Sequence, residues 1–93
     1  MNDRFMFEQS SRFAARVLQE GGQLPHSERI ALAFRLALAR PPHPAEHRWA
    51  SDLVKHQTER YRRQPDTAAA AERHGLRHLC HMLLCTNEFL YVP

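Results

Sequence analysis

Three breaks decide what this chain can become. Gly21-Gly22, Pro41-Pro42 and Gln64-Pro65-Asp66 are turn or stop signals, and they cut the 93 residues into four segments of helical pattern. No apolar/polar alternation long enough for a strand lies between them. The pattern predicts an all-α fold, a small four-helix bundle of up-and-down type, with helices over roughly residues 4–20, 27–40, 44–63 and 67–86. At 10.9 kDa the chain (1–93) reads as a single domain. One this size buries roughly 60–65% of the surface it exposes when unfolded, which leaves room for one modest core. No apolar run approaches the roughly 18 residues of a membrane span, and no charged stretch leads into an apolar signal region.

At about 100° per residue, Met6, Phe7, Phe13, Ala14, Val17 and Leu18 gather on one side of the first segment, with Asn2 or Asp3 as its cap. Phe5 falls outside that face. In the second segment Ile30, Leu32, Phe34, Leu36 and Leu38 alternate with alanines and spread around the whole circumference. Such a helix is expected at the centre of the bundle, and Arg35 in its middle then needs a carboxylate partner. The third segment opens at Pro44, with His43 and Glu46 at capping-box spacing. Its stripe is Trp49, Ala50, Leu53, Val54 and Tyr61; Glu46 lies near the centre of that stripe and is expected to pair with Arg35 or Arg40. Asp66 is the expected cap of the fourth, whose buried face is Leu76, Leu79, Cys80, Leu83 and Leu84. The segment 87–92 is too apolar for a free tail and is expected to pack back on the bundle.

The net charge of +3 is almost wholly arginine, with Lys55 the single lysine. Acidic residues are interspersed throughout rather than excluded from one stripe, so a nucleic-acid partner is disfavoured. The densest basic cluster, Arg60, Arg62 and Arg63, sits where a helix end welcomes cations. A small basic nucleic-acid-binding protein stands as the alternative function.

His74, His78, His81 and Cys85 recur at i, i+4, i+7 and i+11, within about 60° of arc on one helix. Neighbouring pairs have the spacing to share a divalent metal, and a histidine-face metal binder is the third reading. The plainer reading is a solvated face opposite the leucines, and four groups in a row cannot close around one ion. His43 and His47 repeat the spacing more weakly. Cys80 and Cys85 point about 140° apart on a helix, which suits no disulfide. No phosphate-cradling glycine loop and no nucleophile–histidine pair occurs, so neither a cofactor nor enzyme activity is expected. Arg40, Glu46 and Glu88 read as a structural set knitting a loop, a helix start and the C-terminal segment together.

Three blocks carry a resemblance: Asn2-Asp3-Arg4-Phe5 through Arg16-Val17-Leu18; Arg35 through Pro42 with Glu46; and Leu79-Cys80-His81 through Leu84 with Asn87-Glu88-Phe89-Leu90-Tyr91-Val92. In order, they resemble the C-terminal end of the planctomycete PSD family, domain of unknown function fifteen-fifty-three. The resemblance implies large exported parent proteins, often with a cytochrome-c-like domain, of which this chain is a tail or a stand-alone relative. His43 stands where that family has Thr or Ser, and Cys85 where it has Asn. No Cys-x-x-Cys-His motif occurs, so no haem is expected here. The resulting expectation is a non-catalytic helical structural or protein-interaction module whose partner is the rest of a parent chain or a second copy.

Overall fold

The structure is a computed structural model that describes residues 3–90, with side chains described through residue 86. Four α-helices follow in order: α1 (Asp3–Gly21), α2 (His26–Leu38), α3 (Pro44–Arg62) and α4 (Ala71–Leu90). A 3₁₀ turn over Ala68–Ala70 leads into α4. No strand occurs among the described residues. The all-α four-helix expectation holds, with the start of the third helix where it was expected and the other helix ends displaced by one to four residues.

Each helix buries the stripe that its 3.6-residue period sets. Ala14 and Val17 of α1, Ile30 and Phe34 of α2, Ala50 and Val54 of α3, and Leu76, Leu79, Cys80 and Leu83 of α4 meet in one core. α1 and α3 both pack along α4. Thr58 lies against Gly75 and Tyr61 bonds His78, while Leu18 of α1 lies near Ala71 and Phe7 near Arg77. α1 therefore runs antiparallel to α4, and so does α3, because residues 63–70 are too few to carry the chain back along α3 before α4 begins.

The shared helix is α4, which corrects the expectation for α2. α2 has only 13 residues and touches the other three more briefly. Its buried positions, Ile30, Ala33, Phe34 and Ala37, follow the i, i+3, i+4, i+7 rule of an ordinary amphipathic helix. Leu32, Leu36 and Leu38 are half-buried flanks of that stripe. Arg35 is exposed and water solvates its charge, so the carboxylate expected for it is not required.

Four further expectations are revised. Phe7 and Trp49, placed in buried stripes, are about half exposed, at 48% and 47%. A bundle of this size has too little interior to cover every bulky ring at the edge of a stripe. Asp66 does not cap α4. Thr67 turns the chain instead, its hydroxyl donating to the Tyr61 carbonyl at 2.7 Å and so satisfying the end of α3. Leu84 is half-buried rather than enclosed. Finally, α4 continues through Leu90 where a returning segment was expected after residue 86. No glycine or proline interrupts residues 76–90, so nothing in the sequence stops the helix. Tyr91 and Val92 lie outside the described residues, as does Asn2, and Asp3 is the first helical residue.

Two devices close the turns. Arg29 donates from Nε to the Gly21 carbonyl at 3.2 Å and from Nη2 to the Gly22 carbonyl at 3.0 Å, which satisfies the end of α1 with a cation. At the end of α2, Ala39 takes the left-handed conformation (φ 57°, ψ 29°) usually filled by glycine. A Cβ there costs about 1 kcal/mol. Ala39→Gly should therefore stabilise the fold by about 0.5–1 kcal/mol, raising the melting temperature by roughly 4 °C in a domain this small. A melting temperature unchanged or lowered in a calorimetric scan would show that the lost side chain mattered more than the strain.

Candidate functional site

The most organised group of polar side chains lies where α1 and α3 meet the first half of α4. Tyr61 stands at its centre. Its ring stacks on His74, with centroids 4.7 Å apart and planes at 19°. Its hydroxyl accepts from Nη2 of Arg77 at 3.0 Å and lies 3.0 Å from Nε2 of His78. With Arg77 donating to the oxygen, the phenol's own proton is free for Nε2 of a neutral His78, the protonation state that its lowered pKa favours. The Arg77 guanidinium also lies over the Phe7 ring, 4.4 Å from its centroid, a cation–π contact that uses the exposed aromatic of α1. Arg77 Nε is buried with no acceptor, so the half-buried guanidinium is partly withdrawn from water, and no carboxylate pairs with it among the described residues.

Electrostatics follow from that layout. Burial first, then Arg77 and Arg73, hold His74 below the usual imidazole range. His78 is lowered by burial, then by Arg77 and Arg60, with smaller contributions from His81 and His74. The histidine row is thus not the solvated face expected of it. His74 and His78 are half-buried under Tyr61, which α3 delivers. His81 and Cys85 are half-buried further along α4, and no group of three or more metal-ligating side chains forms among the described residues. Only two of the four suggested ligands are drawn into the cluster, and there the His78 Nε2 lone pair is already engaged by Tyr61.

Beside this cluster runs a groove of about 330 Å³ between α1 and α4, lined by Phe7, Ser11, Arg12, Ala15, Arg73, His74 and Arg77. It contains three guanidinium groups and no carboxylate. A second cleft, about 400 Å³, opens between α2, α3 and α4. There His26, Arg29, Lys55 and Arg62 are interleaved with Glu59 and Glu72, and the pairs Arg62–Glu59 (3.5 Å) and Arg29–Glu72 (4.0 Å) spend charge internally. His26 on its rim lies 2.9 Å from the Ser51 hydroxyl and is lowered by burial, then by Lys55.

The structural set is resolved in part. Arg40 grips Glu46 through two parallel bonds, Nη1 to Oε1 at 2.8 Å and Nη2 to Oε2 at 3.0 Å. The same carboxylate accepts the His43 backbone N–H at 2.9 Å, the glutamate half of the capping box. Arg40, then the His43 amide, hold the Glu46 carboxyl down to about 2. Glu46 therefore pairs with Arg40 and not with Arg35. Glu88 is in α4, but its side chain lies outside the described residues. His47 turns to Ser27, with Nε2 3.1 Å from Oγ and 2.9 Å from the carbonyl oxygen, and does not join His43 in a ligand pair.

The basic run at the end of α3 is spent locally. Arg62 and Arg63 both reach Glu59, at 3.5 and 3.8 Å, and Arg60 donates to Gln57 at 3.1 Å. Cys80 is fully enclosed, and burial pushes its thiol up to about 12, which removes it as a nucleophile.

Sequence reasoning missed Arg77, Phe7 and the central place of Tyr61. A signal was present: Arg77 follows Leu76, and the positions three and four away on its helix are Arg73, His74, Cys80 and His81, so its charge had to find a partner outside its own helix. Compared with protein-family models, with curated proteins and with solved structures, the chain matches none.

Proposed function

We propose that this chain is a non-catalytic helical interaction module that docks against protein through the end of the bundle where α4 finishes. One observation carries the reading: Phe5, Trp49 and Met82 expose 54%, 47% and 46% of their surface. Antiparallel pairing puts them toward the same end. Thr58 faces Gly75, and from that level Trp49 lies about 13 Å back along α3 while Met82 lies about 10 Å on along α4, at 1.5 Å per residue. Phe5, in the first turn of α1, lies half a turn, about 3 Å, beyond the level of Arg77 in the same direction.

Magnitudes decide how strong the contact is. Half of a large side chain is on the order of 100 Å², about 2 kcal/mol when covered at 25 cal/mol per Å². Three such anchors offset only the lower part of the roughly 4–15 kcal/mol that association costs. Contact with a second copy should therefore be weak, and a partner with a matching surface should do better. The inert Cys80 thiol and the internally neutralised cleft support the non-catalytic side of the reading.

Sedimentation velocity from about 10 μM to about 1 mM, the range in which weak contacts register, tests it. The sedimentation coefficient should rise with concentration, and emission from Trp49, the single tryptophan, should move to shorter wavelength as its ring is covered. Phe5→Ser combined with Trp49→Ser should abolish the rise while the melting temperature holds. A monomer throughout this range would sink the proposal.

A further inference from the structure

The groove between α1 and α4 has a charge pattern found nowhere else among the described residues. Arg12, Arg73 and Arg77 line it together with His74, and no carboxylate does. Most other arginines lie against glutamates: Arg4 on Glu8, Arg16 on Glu20, Arg29 on Glu72, Arg40 on Glu46, and Arg62 and Arg63 on Glu59. The rest of the groove is formed by the Phe7 ring, Ala15 and Ser11. Arg77 is held in place from two sides, by the Tyr61 hydroxyl and by the Phe7 face, while its Nε–H is buried without an acceptor. A fixed, partly desolvated guanidinium beside two exposed ones is the arrangement that oxyanion recognition uses.

We propose that this groove binds a small aromatic oxyanion, its ring against Phe7 and Ala15 and its phosphate or carboxylate group among Arg12, Arg73 and Arg77. The groove's volume of about 330 Å³ sits at the lower end of small-molecule sites, enough for one ring and its charged group and too short for an extended peptide. Arg12 and Arg73 are exposed and engaged in no hydrogen bond or ion pair among the described residues, so a ligand gains their charge without dismantling the fold. His74, held low first by burial, is pushed further toward its neutral form by Arg77 and Arg73. The site stands apart from the apolar end of the bundle, and it survives whether or not the chain associates there.

The test uses the full chain at pH 7.5 with phenyl phosphate as probe, followed by amide and imidazole NMR signals. Binding should perturb Arg73, His74 and Arg77, and an imidazole titration of His74 should show its pKa raised by the bound anion. Arg12→Gln with Arg73→Gln should weaken binding more than ten-fold at unchanged melting temperature. Arg62→Gln with Arg63→Gln, which removes equal charge elsewhere, should leave binding as it was. Equal loss in both double variants, or shifts that map to the end of α3, would reduce the effect to general charge and overturn the site. Inorganic phosphate binding as tightly as phenyl phosphate would overturn the aromatic part of the assignment. A hexapeptide containing phosphotyrosine that binds more than ten-fold tighter would assign the groove to a protein partner and overturn the small ligand.

Discussion

Replacing Gly75 by alanine should lower the melting temperature by about 10 °C, although alanine is the better helix former by about 1 kcal/mol. Gly75 is buried in the second turn of α4, and α3 lies directly over it. A Cβ built there would stand 2.8 Å from the Thr58 amide nitrogen, 2.9 Å from Thr58 Cα, and closer still to its hydroxyl oxygen. The hydroxyl can turn away, but the backbone of a packed helix cannot. Overpacking of this kind costs about 1–3 kcal/mol, and more where backbone is the obstacle, so the net loss is about 2 kcal/mol after the helical gain. Since this crossing also brings Tyr61 onto His74 and His78, the variant should lose the stacked ring contact along with stability. Thermal unfolding of Gly75→Ala, alone and with Thr58→Ala, separates the causes. Rescue by Thr58→Ala would place the clash in the side chain, and a melting temperature at or above that of the parent would show that α3 and α4 do not approach so closely.

The four helices were readable because their breaks and periods are local properties. Gly21-Gly22, Pro41-Pro42 and Pro65 act on the residues beside them, and helix ends duly fell near each. What the periodicity could not provide was the identity of the central helix. Apolar content singled out α2, but centrality is decided by how closely backbones approach, and the residue that allows the closest approach is Gly75 in α4. An isolated glycine inside a helical pattern is the legible trace of such a crossing. The Arg40–Glu46 pair was visible because its partners are six residues apart around one turn. The Tyr61 cluster was not, because it joins residues 16 and 17 positions apart across two helices, and the row of histidines showed only one side of it. Trp49 failed for a different reason: a stripe position predicts a side chain's direction, and whether a neighbour covers it depends on α4 and on the short reach of α2.

Acid should unfold this protein in two steps, the first beginning near pH 6.5. His26, His74 and His78 are all held below that value in the fold, by burial first and then by Lys55 for His26 and Arg77 for the other two. The unfolded chain therefore takes up protons before the folded one does as pH falls below 6.5. Stability is complete above 6.5 and is lost downward until each folded-state pKa is passed. The groups facing the pair on α4 reinforce the sign: Arg60 and the phenol of Tyr61 from α3, Arg73, Arg77 and His81 from α4, and Phe7 from α1 offer no carboxylate to welcome an imidazolium. Protonating His78 also puts a donor where the Tyr61 hydroxyl now gives its own proton. All seven histidines add to a net charge that is already +3, so self-repulsion grows as they titrate. The second step belongs to Glu46. Arg40 depresses its carboxyl from 4.5 to about 2, so the stability it supplies persists above 4.5 and disappears as pH falls from there toward 2. Urea midpoints measured between pH 7.5 and 3 should fall in both windows. His74→Phe with His78→Gln keeps a stacked ring and an acceptor for Tyr61 but removes two titrating groups; it should flatten the upper window and leave the lower one intact. An upper slope that persists unchanged in this variant would mean that the cluster is open to protons in the folded state and that its histidines titrate as they do in water.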